Sequence, residues 1–179
     1  MQALTDRECA LRTRSGDVQA YGELVRRYQA SVFNVCYRLM GERRDAEDMA
    51  QEAFVHAYQR LASYDAERPF GPWMRRVAAN LCLNRLSRRD FVRVPLDEDH
   101  DQPDERARDV KGGGEDRAAG IQMALQSLSA TQRVVIELRH FQDMSYAEIA
   151  AATRLSVSQV KTHLYRARRQ LEQVLSDHV

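Results

Sequence analysis

The stretch SYAEIAAATRLSVSQVKTHLYRARR, residues 145–169, decides how this 179-residue chain is to be read. Two of its serines have a Glu or Gln three residues later: Ser145 is followed by Glu148, and Ser156 by Gln159. That spacing is a capping box. The serine oxygen accepts a free backbone N–H in the first helical turn, and the Glu or Gln side chain accepts the N–H of the serine. The pattern predicts two helices joined by a turn through Arg154 and Leu155. The first turns Tyr146, Ile149 and Ala150 inward. The second carries Val157, Val160, Leu164, Ala167 and Leu171 at steps of three and four, one apolar stripe facing a bundle.

What the stripe leaves outside is a polar face: Ser158, Gln159, Lys161, Thr162, Tyr165, Arg166 and Arg169. Helix, tight turn and helix in this order form a helix-turn-helix. Short and medium polar groups near the start of its second helix can reach base edges in a major groove. Arginines further along suit phosphates, which position a helix without reading sequence. A solvated face on an ordinary bundle has the same polarity. The tight turn and the paired caps favour DNA.

Working outward, Ser129 and Gln132 form a third box, so residues 119–179 read as a domain of four short helices. Upstream, residues 91–118 contain Pro95, Pro103 and the triplet Gly112, Gly113 and Gly114. They carry 5 basic and 9 acidic residues. A segment so polar and glycine-rich predicts a flexible acidic linker. Residues 1–90 return to helical periodicity. Thr5 and Glu8 form a capping box for a short helix with Gly16 near its end. A long helix follows over 17–40, with Tyr21, Leu24, Val25, Tyr28, Val32, Cys36 and Leu39 inward and Gly41 as its stop. Asp45 is placed as the cap of a third helix that buries Met49, Ala53, Phe54, Ala57 and Leu61. A fourth is expected over 73–89, after a loop with Pro69, Gly71 and Pro72; Trp73, Val77 and Leu81 mark its inner side. No segment alternates long enough to form a strand. The fold class is therefore all-α: two small helical domains, 1–90 and 119–179, joined by a flexible linker.

Composition narrows the function classes. Hydrophobic residues make up 44% and charged residues 30%, which fits a globular protein. No apolar run approaches the ~20 residues needed to span a bilayer, and Met1 to Leu4 do not begin a signal peptide, so no membrane insertion and a cytoplasmic location are expected. The net charge of +1 divides unevenly. Residues 1–90 carry 15 basic and 12 acidic groups, and residues 120–179 carry 7 and 5. Two basic ends flank an acidic middle, as separate polyanion-binding surfaces would require. Cys9, Cys36 and Cys82 are far apart, form no C-x-x-C and are expected as buried reduced thiols. No phosphate loop, metal cluster or nucleophile–base pair stands out. Neither a catalytic residue nor a cofactor or metal is expected.

The quoted motifs resemble a known family. LSATQRVVIELR at 128–139, MSYAEIA at 144–150 and VKTHLYRAR at 160–168 are similar to the fourth region of bacterial sigma factors. LuxR-type output domains share part of that string, and the N-terminal half separates the two. DAEDMAQEAFVHAY at 45–58 looks like the core-binding motif of the sigma second region. FGPWMRRVAANLCLNRLSRR at 70–89 is similar to the adjoining helix that melts and reads the −10 element. The chain thus resembles small extracytoplasmic-function (ECF) sigma factors, with no extra N-terminal or third-region domain.

The resemblance implies a specificity subunit of RNA polymerase without catalytic activity. Its expected partners are core polymerase, through the β′ clamp helices and the β flap, promoter DNA, and an anti-sigma factor. Asp45, Glu47, Asp48, Gln51 and Glu52 become candidates for core binding. Ser63, Tyr64 and Asp65, in the loop where the family accepts a flipped base, join Arg76, Asn80, Asn84 and Arg88 as −10 candidates. The outer face of the helix-turn-helix becomes the −35 reader. Six arginines and only Asp90 as an acid lie between positions 75 and 93, consistent with a strand-holding face. An acidic first turn can also simply complement a helix dipole, and Trp73 reads as core rather than as a stacking platform. A stand-alone regulator would carry a receiver with βα alternation, which residues 1–90 lack. A sigma mimic would have eroded DNA faces, whereas both arginine-rich faces here are intact.

Overall fold

The computed structural model describes residues 3–93 and 116–176, all helix, turn and loop without a strand. Among the described residues eight α-helices run in order: α1 Asp6–Arg14, α2 Val18–Met40, α3 Arg43–Gln59, α4 Phe70–Arg93, α5 Asp116–Gln126, α6 Ala130–Ile136, α7 Tyr146–Thr153 and α8 Val157–Ser176. A 3-10 turn, Leu61–Ser63, follows α3, and a π-helical turn, Glu137–Phe141, extends α6. Residues 94–115, most of the expected linker, lie outside the described residues. Its two ends are helical, because α4 continues to Arg93 and α5 begins at Asp116.

Local chemistry sets most boundaries. Thr5, Ser129 and Ser145 each accept the third backbone N–H of their helix, while Glu8, Gln132 and Glu148 reach back to the cap. Ser156 and Gln159 do the same at the head of α8 (Ser156 N–H to Gln159 Oε1 2.8 Å, Gln159 N–H to Ser156 Oγ 3.1 Å). Asp17 caps α2 through Ala20 N, and Gly41 ends it in the left-handed region at φ 84°. Two starts differ from expectation. Glu42, without a side-chain cap bond, precedes α3, so Asp45 lies inside the first turn rather than capping it. The fourth helix begins at Phe70, three residues early. Pro72 is accommodated because the first turn has no intrahelical N–H bond to lose.

In the N-terminal half α2 lies at the centre. Leu24, Val32, Val35, Cys36 and Leu39 of α2 meet Met49, Ala53, Phe54 and Ala57 of α3 and Phe70, Met74, Ala78 and Cys82 of α4. All three cysteines are buried free thiols. A hydrogen bond with Cys36, together with burial, raises the Cys82 thiol far above its ordinary range, so it stays protonated. In the C-terminal half Leu128, Val135, Leu138, Ile149, Val160, Leu164 and Ala167 close a second set of buried residues.

The two halves are tethered by sequence, and the structure adds that they pack together, with their apolar residues forming one contiguous cluster. Carbonyls at the end of α2 are taken by side chains from the other half, Tyr37 O in addition to the Gly41 N–H it already accepts. Gln122 Nε2 donates to Tyr37 O (2.7 Å), Gln126 Nε2 to Arg38 O (3.1 Å) and Arg133 Nη1 to Leu39 O (2.6 Å). Arg133 is buried and also donates to Leu125 O and Leu128 O. Gly41 permits this approach, since a Cβ there would sit 2.4 Å from Gln126 Oε1.

Candidate nucleic-acid interface

The first candidate surface is the outer side of α3. Burial of Met49, Ala50, Ala53, Phe54 and Ala57 turns Glu47, Asp48, Gln51 and Glu52 to solvent, with Asp45 partly buried. Glu47 pairs with Arg43 within the helix (2.9 Å), and Glu52 pairs with Arg85 of α4 (3.1 Å). Both pairs are well exposed and hold their acids loosely. Val55 and Tyr58 extend this face with exposed apolar surface, 58% and 42% accessible. The sequence reading missed Val55. The signal was there: Val55 stands out of phase with the buried stripe, four residues after Gln51.

The second surface combines α4 with the loop before it. Asn80, Asn84, Ser87 and Arg88 are exposed, opposite the buried Met74, Ala78, Ala79, Cys82 and Leu86. Asparagine carries both donor and acceptor, so two on one face can make paired bonds to base edges. Ser63 and Asp65 are exposed in the loop. Tyr64 departs from expectation. It is only 3% accessible, with its ring 5.3 Å from Phe70 and 5.0 Å from Trp73 and its hydroxyl donating to Arg68 O. It therefore offers no face to a base and instead anchors the loop to the core. Trp73 is partly buried in the same aromatic cluster, as expected.

Arg76 is the member of this face that touches the other half. Its Nη2 lies 4.0 Å from Glu148 Oε1 at the start of α7, and neighbouring Arg75 Nε donates to Gln142 Oε1 (3.3 Å). Hydrogen bonds from Ser145 hold Glu148 below the usual carboxylate range, with Arg76 adding a smaller effect. The C-terminal half thus rests against the beginning of α4.

The third surface is α8. Ser158, Gln159, Lys161, Thr162, Tyr165, Arg166 and Arg169 are all exposed, while Val160, Leu164 and Ala167 are buried beneath them. Arg154 makes the turn in the left-handed region at φ 59°. Lys161 lies over the Tyr146 ring at 5.8 Å and Arg169 over Tyr165 at 5.9 Å. Gln159 spends its oxygen on the cap, leaving its amide N–H groups outward. No cluster of residues able to hold a metal ion occurs among the described residues.

Comparison with known proteins gives the family. The family model for sigma-70 region 2 matches residues 24–92, and that for sigma-70 region 4 matches residues 119–171. The ECF RNA polymerase sigma factor SigW of Bacillus subtilis is 30% identical, over 92% of this chain and 93% of its own length. The ECF RNA polymerase sigma-E factor of Escherichia coli is also 30% identical, over 96% and 94%. Among solved structures, CnrH in complex with the cytosolic domain of CnrY aligns with a TM-score of 0.59 at 26% identity, covering 97% of this chain and 99% of that one. Two helical domains in this order, with an exposed polar face on α4 and another on α8, and relatives matching nearly end to end, make the chain a member of the ECF RNA polymerase sigma factor family.

Proposed function

We propose that this sigma factor divides its work among the three surfaces described above. Asp45, Glu47, Asp48, Gln51 and Glu52, extended by Val55, bind core polymerase at the β′ clamp helices. The loop with Ser63 and Asp65, together with Arg76, Asn80, Asn84 and Arg88, takes the −10 element and helps to open it. The α8 face reads the −35 element while its domain rests on the β flap. On this reading residues 1–90 and 119–179 are the two functional domains, 91–118 connects them, and the chain supplies no catalysis of its own. It acts in the cytoplasm, beside polymerase and chromosome. Among the described residues, no helix is long and apolar enough to cross a membrane. The likeness to CnrH, solved with a second protein, supports a further protein partner in the role of an anti-sigma factor.

The observation that carries the reading is the pair of exposed polar faces on α4 and α8, each backed by a fully buried apolar side. Geometry adds a requirement. Elements named −35 and −10 lie about 25 base-pair steps apart, roughly 85 Å at 3.4 Å per step. A compact chain of this length is only roughly 40 Å across. The packed halves must separate before both elements can be read, and core polymerase is the partner that would hold them apart.

Run-off transcription with purified core across a genomic promoter library tests this. A discrete promoter set, transcribed only when the chain is added, is expected. Free chain should bind those duplexes weakly, and added core should give specific, salt-sensitive binding. Tight specific binding by the free chain, unchanged by core, would instead indicate a stand-alone regulator.

A further inference from the structure

Helix α1 lies outside the residues that match sigma-70 region 2, yet it holds the loop proposed to take the −10 strand. Arg14, at its last position, donates from Nε and Nη2 to Leu61 O (3.1 and 2.9 Å) and from Nη2 also to Tyr64 O. These carbonyls bracket the 3-10 turn and its exposed Ser63. Arg7 reaches the far side of the same loop through Glu67 at 2.6 Å. The helix is itself anchored to α2, because Asp6 accepts from Arg27 Nη1 (2.8 Å) and from the Tyr28 hydroxyl, and Arg27 Nη2 donates to Leu4 O (2.6 Å).

The loop is therefore held from two sides. Tyr64 pins it to the core, and Arg14 pins its backbone from outside. What the loop still presents to solvent includes Ser63, whose hydroxyl donates to Arg60 O (2.7 Å), and Asp65, which accepts from Glu67 N–H (3.0 Å). A planar guanidinium can serve two carbonyls at once, whereas a lysine ammonium is a point donor on a flexible stem. Docking of α1 does not depend on this contact, since Cys9, Ala10 and Thr13 are buried independently of it.

We propose that Arg14 is a positioning residue for promoter reading: it sets the 61–65 loop relative to Asn80 and Asn84 on α4. The proposal rests on the assignment of that loop and helix to the −10 strand.

The test uses full-length Arg14→Ala and Arg14→Lys chains, free and assembled with core polymerase. Trp73, the chain's one tryptophan, lies 5.0 Å from Tyr64, so its emission in the free chain reports the loop. The binding probe is a single-stranded oligonucleotide carrying the −10 sequence from run-off-selected promoters, compared with one substituted at the −10 bases. Arg14→Ala is expected to shift Trp73 emission with unchanged far-UV circular dichroism. In holoenzyme it should cut the affinity ratio between the two strands at least fivefold, with Arg14→Lys falling between it and the parent. A folded Arg14→Ala chain with the parent's ratio overturns the role of Arg14. If that variant does not fold, a parental ratio for Arg14→Lys overturns it equally. A parent holoenzyme that binds both strands alike is a different result: it removes the −10 assignment on which the proposal stands.

Discussion

Arg38 on α2 and Glu137 at the head of the π-helical turn form a two-point ion pair across the boundary between the halves, Nε to Oε2 at 2.7 Å and Nη2 to Oε1 at 3.0 Å. Glu137 is 2% accessible and takes a third bond from Gln142 Nε2 at 2.9 Å, while the Arg38 guanidinium lies 4.1 Å above the Phe141 ring. Truncating one partner of such a desolvated pair costs on the order of 2–5 kcal/mol, because the other charge is left buried. Arg38→Ala is therefore expected to separate the halves. Small-angle scattering would read this as a radius of gyration rising above the ~16 Å of a compact chain. Replacing both residues by Met should restore part of the packing, as apolar pairs can substitute for buried ion pairs. A folded Arg38→Ala chain with the parent's radius would show that the pair does not hold the halves together.

The α3 surface makes a separate prediction. Asp48→Arg reverses an exposed charge without touching the core of the bundle. It should weaken binding to core polymerase by roughly tenfold or more, equivalent to about 1.4 kcal/mol. Val55→Asp should weaken it similarly, whereas −35 duplex binding should persist in both. Titration of labelled chain with core measures the first effect, and parental affinity in a folded Asp48→Arg chain would remove α3 from that role.

Strand opening is the third. Asn80 is exposed midway along α4. Asn80→Ala should lose roughly 1–3 kcal/mol of base discrimination at the −10 element. Closed complexes should form, permanganate reactivity should fall, and a pre-melted template should restore transcription. Normal permanganate reactivity would reduce Asn80 to a solvated surface residue.

On α8, position along the helix separates roles. Arg166→Ala should weaken duplex binding across sequences and lower the salt slope by about one, as loss of one phosphate contact does. Ser158→Ala and Lys161→Ala should alter which bases are selected. Selection from a random duplex library with identical preferences for all three variants would contradict this division.

Acid should loosen the C-terminal half through His140. Burial, then the charges of Arg168 and Arg139, lower the pKa of His140 below its ordinary 6.5, and its Nε2 lies 3.4 Å from Arg168 Nη2. The folded state thus favours the neutral ring. Its contribution is complete above the unfolded value and is lost as pH falls through the lower folded value. Thermal midpoints should drop as pH falls below about 6.5, and His140→Gln should remove part of that drop. An identical pH profile for that variant would exclude His140 as the source.

Much of the candidate site was legible in the sequence because it rests on short-range rules. Capping boxes act over three residues, and helical periodicity separates inner from outer positions within two turns. That is why Thr5, Ser129, Ser145 and Ser156 marked their helices and why the α8 face emerged whole. The same rules misplaced Asp45, and the resemblance offered Tyr64 to DNA. A carboxylate can cap a helix or sit within its first turn, and a loop tyrosine can face solvent or core. For Tyr64 the neighbours decide, and those neighbours, Phe70 and Trp73, belong to the next helix.

By itself, then, the sequence determined helical content, the capped helix starts and the polarity of most faces, all set by interactions within one or two turns. The tertiary structure alone decided that α1 holds the 61–65 loop through Arg14, 47 and 50 residues from its acceptors. It alone decided that Gln122, Gln126 and Arg133 finish the carbonyls of α2, and that Arg38 meets Glu137 across 99 positions. The physical reason is that backbone carbonyls look alike in any sequence, and a glutamine or arginine can bond any of them. Which donor reaches which acceptor is settled by how the apolar faces pack, and no local pattern encodes that choice.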